Sequence, residues 1–420
     1  MRISCRLWRR LRIFGGLCAI VALTSASASA TDTIRIDAET LADGVLLPDG
    51  TKAADALTAQ QLARIRGDGL VMNVGPTTRE QADELYLALT RKNPPATVLD
   101  PETKRVTGWV SGAPFPDVQG QSPDAGWRII WNAVYGHQGA DRFEGRLASL
   151  NIGKDDGLQS VSIFSFKRFR VKGAISKRQD ANGDLETLRK ILVTGLAPQQ
   201  VAGFGNFVRH LDTGAPSEGW IYIPGFGPPI EVPGDVWVED MEGTVQAGDD
   251  VGIFGAYPTW YETIRLLGER RLLVSRHSQG VSWKPSENGG GQEFPRFDLA
   301  ASPGWNPVDR WEARKVYVIE AIPPESHRYG RKVIYVDQAG WQIYRGEAYD
   351  RDGRFWRDLS QGFRTQTAAD GRQVTEAVWG LVIDRSEDLA TAWVSDIDSL
   401  NGDLAPEEVS LEALKALAAR

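Results

Sequence analysis

Cysteine is almost missing from this 420-residue chain, and its two examples, Cys5 and Cys18, both fall within the first thirty residues. A chain that loses those thirty has no thiol, which excludes disulfides, cysteine-ligated zinc, iron–sulfur centres and a cysteine nucleophile. Histidine is nearly as scarce, with His137, His210, His277 and His327 the full set, so the inventory is poor in acid–base and metal-binding imidazole. Basic charge is also in deficit. Removing residues 1–30 takes five arginines and no acids, leaving 43 basic residues against 55 acidic ones, a net charge of −12. No basic stripe is available for nucleic acid, and anionic membrane surfaces repel such a chain. Finally, no apolar run approaches the roughly 20 residues of a membrane span.

The first thirty residues read as a secretory signal peptide. Arg2, Arg6, Arg9, Arg10 and Arg12 form a cationic start, Phe14 to Leu23 an apolar run, and Ala28-Ser29-Ala30 a small-residue cleavage site. Cys18 lies inside the apolar run rather than after it, which argues against lipidation. Arg12 stands where a twin-arginine signal prefers an apolar residue, so the general secretion route is favoured. The expected location is the periplasm, as a soluble protein without a lipid anchor.

What is abundant is tryptophan: fourteen, of which Trp8 alone lies in the signal. Trp127, Ile129, Trp131, Ala133 and Tyr135 recur at every second position, the spacing of one face of a strand. Further strands are predicted at Ser160 to Phe166, Trp220 to Ile223, Arg271 to Ser275, Lys315 to Ala321, Lys332 to Asp337, Trp341 to Arg345, Val374 to Ile383 and Thr391 to Val394. Turn signals such as 337–340 and 350–353 separate several of them, so neighbours are antiparallel. Helices are expected at Thr58 to Arg66, from Thr77 or Thr78 with a Thr78/Gln81 capping box, at Gly183 to Leu192, at Pro258 to Leu267 and at Ser410 to Ala419. The organisation is a mixed helical segment over 31–113 and a strand-rich segment over 114–420, read together as one structural domain. The fold class is α+β, mainly antiparallel: one large, strongly curved sheet with helices on one side.

Local catalytic signatures are missing. Asp180 to Asp184 has alternating acids, but Leu185 stands where a calcium loop needs glycine, so it reads as a solvated turn. The glycine-rich stretches 203–206 and 225–229 lack phosphate-loop spacing, and Ser286 to Gln292 reads as a loop. Ser278 beside His277 is a sequence neighbour rather than a dyad. Paired carboxylates leave a hydrolase of carbohydrates or esters as an alternative. No catalytic residue, metal ligand or cofactor is assigned.

Two blocks carry a resemblance. Pro114-Phe115-Pro116 is followed by Gly126 and Ile130-Trp131-Asn132. The second block includes Trp311, Arg314 to Ala321, Ser326 to Tyr329, Arg331-Lys332, Tyr335 to Asp337, Trp341, Tyr349-Asp350, Gly353 and Phe355-Trp356-Arg357. With a tail at Pro406-Glu407-Glu408, Leu411 and Leu414, these resemble the exported proteobacterial family called domain of unknown function 1329, over residues 31–420. The chain departs from the family at Phe226 to Glu231, where the resemblance implies a basic strand able to meet an acidic headgroup or partner. The resemblance implies a fold like the lipoprotein carriers LolA and LolB, a half-barrel sheet wrapped around helices with an apolar cavity between them. It also implies an inner-membrane permease of the resistance–nodulation–division type and an outer-membrane channel as neighbours. The functional expectation is a periplasmic carrier or chaperone of a lipid, acyl chain or lipoprotein-like cargo, not an enzyme, with Trp127, Ile129, Trp131, Trp220, Tyr222, Tyr335 and Trp341 as cavity candidates. A non-catalytic adaptor of an envelope complex is the other alternative.

Overall fold

The computed structural model describes residues 33–418, excepting 80–82, 137, 177–183, 185, 235–236, 281 and 286–291. The Thr78/Gln81 box, most of the candidate calcium loop and the 286–292 loop involve positions outside the described residues. Fifteen strands join in one open sheet. Six run as an antiparallel meander, β3 (Arg142–Gly153), β4 (Gly157–Arg170), β5 (Thr187–Ala197), β6 (Gly205–Leu211), β7 (Glu218–Tyr222) and β8 (Ile230–Pro233). A second meander comprises β10 (Arg310–Ile322), β11 (Arg331–Asp337), β12 (Ile343–Tyr349), β13 (Phe355–Thr367), β14 (Gln373–Asp384) and β15 (Leu389–Leu400). The two meet where β15 pairs antiparallel with β3, Leu389 opposite Gly153. β9 (Thr263–Val274) lines the outer side of β10, and β1 (Ile34–Ile36) with β2 (Met72–Val74) extends the sheet through a short parallel contact of Asn73 and Val74 with Arg310 and Trp311.

Eight of the ladders contain a register shift. Bulges bend strands and add twist, and so many of them give the sheet its curvature. At one such bulge the indole of Trp379 lies over Gly362, its cross-strand partner, where a Cβ would stand 2.1 Å from Nε1.

Both faces of the second meander are covered. On one, residues 36–74 bring Ile36, Leu57, Ile65, Leu70 and Met72 onto Leu381, Ile383 and Ala392. Helix α2 (Ala59–Gly67) anchors that layer: Thr58 and Gln61 cap it reciprocally, and Gln61 Nε2 donates to the Leu273 carbonyl at 3.1 Å. On the other face, α4 (Ala125–Tyr135) and the segment 247–264 cover Ile319, Ile334, Val336 and Val382. Two shorter helices, α1 (Ala38–Ala42) and α3 (Glu84–Thr90), lie in the N-terminal segment, and α5 (Leu411–Ala418) packs on β6 and β7.

Several local expectations are corrected. The aromatic run 127–135 is helix α4, not a strand. Trp127, Ile130, Trp131 and Val134 also fit helical spacing, and a helix buried on nearly every side gives no contrast between periods 2 and 3.6. Gly126 fixes its seat, since a Cβ there would sit 2.7 Å from the Arg265 backbone on β9. Residues 187–192, expected as helix, belong to β5, because β4 and β6 satisfy its backbone on both sides. Pro258–Trp260 is a single 3₁₀ turn and β9 follows at Thr263. Helix α3 is capped by Asp83, whose carboxylate accepts the Tyr86 N–H at 2.7 Å, and Thr77 and Thr78, the expected start, are not helical. The tail helix and the curved antiparallel sheet stand as expected.

Candidate functional site

The seven cavity candidates fall into three places. Trp127, Ile129 and Trp131 on α4 share one core with Trp341. Trp131 is fully buried, with ring centroids 4.7 Å from Tyr135 and 5.2 Å from Tyr257, and donates to the Lys104 carbonyl at 2.8 Å. Trp220 and Tyr222 pack with Phe207 beneath α5. Tyr335 faces the opposite side of β11, beside Tyr344 and Phe363. Burial and these ring contacts make the seven parts of packed clusters, and none lines the cleft described next.

That cleft, about 690 Å³, opens at the junction of the N-terminal segment with β9, β10 and the end of β11. Its apolar wall is Pro48, Val74, Pro76, Ala313 and Ala339, and its polar side chains are Asp49, Thr77, Arg271, Arg314, Lys315, Asp337 and Gln338. The parallel contact of β2 with β10 builds the wall, and Thr77 Oγ1 donates to the Ala313 carbonyl at 2.9 Å, holding residues 75–77 along the strand. Most of the charge is internally matched. Asp49 pairs with Arg271, and Arg314 Nε lies 3.2 Å from Asp337 Oδ2. Asp337 also accepts the Tyr344 hydroxyl at 2.8 Å and the N–H groups of Ala339 and Gly340 at 2.7 Å. Lys315, exposed at the lip, forms no ion pair among the described residues. Just below, His277 Nδ1 is 3.1 Å from Glu312 Oε2. Burial alone would raise the Glu312 carboxyl, but the hydrogen bond and charge of His277, with Arg314, outweigh it and hold it below its ordinary range. Ser278 Oγ accepts from Arg296 instead, so His277 and Ser278 turn to different partners.

A second constellation lies at the start of β11, and sequence reasoning missed it. Lys332, wholly buried, places Nζ 2.7 Å from Asp249 Oδ2 and 3.1 Å from Asp250 Oδ1, and also donates to two backbone carbonyls. Tyr261 donates to Asp249 at 2.6 Å and Tyr329 to Asp250 at 2.8 Å. Arg357 spans Asp240, Asp250 and Asp384. Burial first, then the facing carboxylates, drive both tyrosine hydroxyls well above their ordinary pKa, which keeps them as donors. His327 accepts the Tyr329 N–H on Nδ1, so its proton resides on Nε2, 3.8 Å from Asp249, and burial lowers its pKa. The second family block thus converges in space: His327, Tyr329, Lys332 and Arg357 clamp residues 249–253 onto the sheet. The first block does the same, since Asn132 exchanges two hydrogen bonds, 2.8 and 2.7 Å, with the backbone of Phe115. Lys332, Asp249, Asp250, Arg357 and Asp384 are buried, so this ionic cluster supports the structure, whereas the cleft is open to solvent.

The family model described as protein of unknown function (DUF1329) matches residues 48–392. The chain belongs to this family. Among solved structures, a domain from Vibrio parahaemolyticus named for outer membrane lipoprotein sorting is similar at 15% identity and TM-score 0.46, covering 70% of this chain and 99% of that one. A DUF1329 family protein from Desulfovibrio piger gives 14% identity and TM-score 0.45, with coverages of 69% and 98%. A LolA superfamily protein from Nitrosomonas europaea gives 12%, 0.39, 68% and 97%. No curated protein matches. Among the described residues no helix is long and apolar enough to cross a membrane, and no group of three or more His, Cys, Asp or Glu side chains is placed to hold a metal.

Proposed function

We propose that this DUF1329 protein is a periplasmic carrier that takes an amphiphilic molecule, an acyl chain or lipid with an anionic end, into the cleft between residues 48–49, 74–77 and β10. The observation that carries the reading is the cleft's composition: an apolar wall of suitable volume for a small ligand, with Lys315, a cation without an ion pair among the described residues, at its lip. At about 25 cal/mol per Å², burying a few hundred Å² of ligand yields several kcal/mol before ordering costs. Carboxylates at the cleft are neutralised by arginines, which favours binding over hydrolysis as its use. A permease of the resistance–nodulation–division type and an outer-membrane channel, the neighbours that the resemblance implies, would serve as donor and acceptor.

Native mass spectrometry of protein expressed to the periplasm, followed by organic extraction, tests this. The expected result is a stoichiometric passenger that is lost in Ala339→Trp, which fills the cleft mouth, and weakened in Lys315→Glu; both positions are exposed. A clean apo mass with no uptake of offered fatty acids or phospholipids would overturn it, as would a passenger undiminished in the double variant.

A further inference from the structure

Successive turns at one end of the curved sheet differ sharply in charge. The connections β12–β13, β14–β15 and β3–β4 lie together there, with the Lys154 N–H donating to the Asp388 carbonyl at 2.9 Å. They read Asp350-Arg351-Asp352-Gly353-Arg354, Arg385-Ser386-Glu387-Asp388 and Lys154-Asp155-Asp156. Alternate connections of a meander share an end, so the turns β5–β6 and β7–β8 belong to the same rim. Here charge vanishes: no charged residue occurs from Ile191 to Val208 or from Gly219 to Ile230, in a chain of which 25% is charged.

What replaces charge is exposed apolar surface. Phe226 is 84% exposed at the β7–β8 tip, flanked by Gly225 and Gly227, whose positive φ values of 84° and 103° shape the turn. Ile223 and Ile230 flank the tip at 39% and 54% exposure, and Leu196, at the end of β5 beside the adjoining turn, is 47% exposed. The two turns touch, since a Cβ at Gly203 would stand 3.1 Å from the Pro224 ring. Directly behind the tip, Trp220 and Tyr222 are partly exposed.

We infer that this corner is a membrane-contact element, which inserts Phe226, Ile223, Ile230 and Leu196 into the interface of an uncharged, zwitterionic lipid surface. Its apolar groups stand on two separate segments, the end of β5 and the β7–β8 connection with the first residue of β8. A rigid partner would need a matching socket for each, whereas a fluid interface takes both. Trp220 and Tyr222, held beneath α5, leave part of their surface behind the tip, where Trp and Tyr suit the headgroup layer. Lacking cations, the corner gains nothing from anionic lipid, and the chain's acidic balance opposes it. The inference stands apart from the cleft and holds whether or not the cleft carries a ligand.

Flotation of the full-length mature protein with phosphatidylcholine vesicles tests it. Expected are binding that persists at 0.5 M salt, roughly, because no ion pairing drives it, and a partition constant lower by roughly tenfold or more in Phe226→Ser. Thermal unfolding of this surface variant should match the parent, separating lost contact from lost fold. The inference is overturned by no flotation of the parent, by Phe226→Ser and the Phe226→Ser/Leu196→Ser double variant both floating as well as the parent, or by binding that requires anionic lipid and collapses with salt.

Discussion

Strands β3–β8 and β10–β15 are both six-stranded antiparallel meanders with similar alternating sequences, yet they treat charge in opposite ways. In β10–β15 it is inside: Lys332, Arg345, Glu347, Arg357, Asp358 and Asp384 are all buried. In β3–β8 buried charge is confined to one end, at Arg142 and Arg170; most strand positions are only half-buried, the core beneath the outer strands is small, and the free corner has shed its charge at the surface. The difference follows from coverage. Residues 36–74 and α4 with residues 247–264 close both faces of the second meander, so each ionic group there needs a fixed partner. The outer strands of the first have α5 as their cover. Alternation along a strand reports which side chains share a face, and the layers packed on top decide what that face must tolerate.

The contrast can be broken first at its most buried point. Lys332→Met removes the counter-charge of Asp249 and Asp250 and should cost about 3–5 kcal/mol in chemical denaturation, because two buried carboxylates lose their shared partner. Across the sheet, Leu414→Ala on α5 should cost about 2–4 kcal/mol, and hydrogen exchange should show the loss of protection confined to β6 and β7. A smaller effect concerns pH. Burial holds His327 below its unfolded value near 6.5, so the unfolded chain binds the extra proton and stability falls as pH drops through that value. His327→Gln should therefore flatten the decline in melting temperature between pH 7.5 and about 5.5, a range chosen around that unfolded value. An unchanged slope would show that His327 is not its source.

Much of the architecture was legible because strands repeat their pattern locally. Lys315 to Ala321, Lys332 to Asp337 and Val374 to Ile383 each sit within an observed strand, since alternation and turn residues state the same answer there. Helix α4 was not legible, because a helix buried all round hides its period. The seven cavity positions would share one concave face only if all stood on strands; the structure places three on a helix, Trp341 in the β11–β12 connection and the rest in two separate clusters on the sheet. The ionic cluster escaped because its partners lie far apart along the chain, and Asp249-Asp250 looks like one more acidic pair. One signal was present: Lys332 stands directly before Val333-Ile334-Tyr335-Val336, where an unpaired cation would be costly. The cleft had no local signal, since its wall is assembled from Pro48, Val74 and Ala313 across a single parallel contact.

The β15–β3 ladder has a consequence for how the molecule is made. Its partners, residues 389–400 and 143–153, are separated by most of the chain, so the first meander can be synthesised and even form hairpins while its inner neighbour does not yet exist. During that interval β3 is an unguarded edge, open to pairing with another copy of itself. Joining the two halves is a late, slow step set by loop closure rather than by local propensity. A nascent chain of this design therefore benefits from being kept apart from its siblings until residues 389–400 arrive.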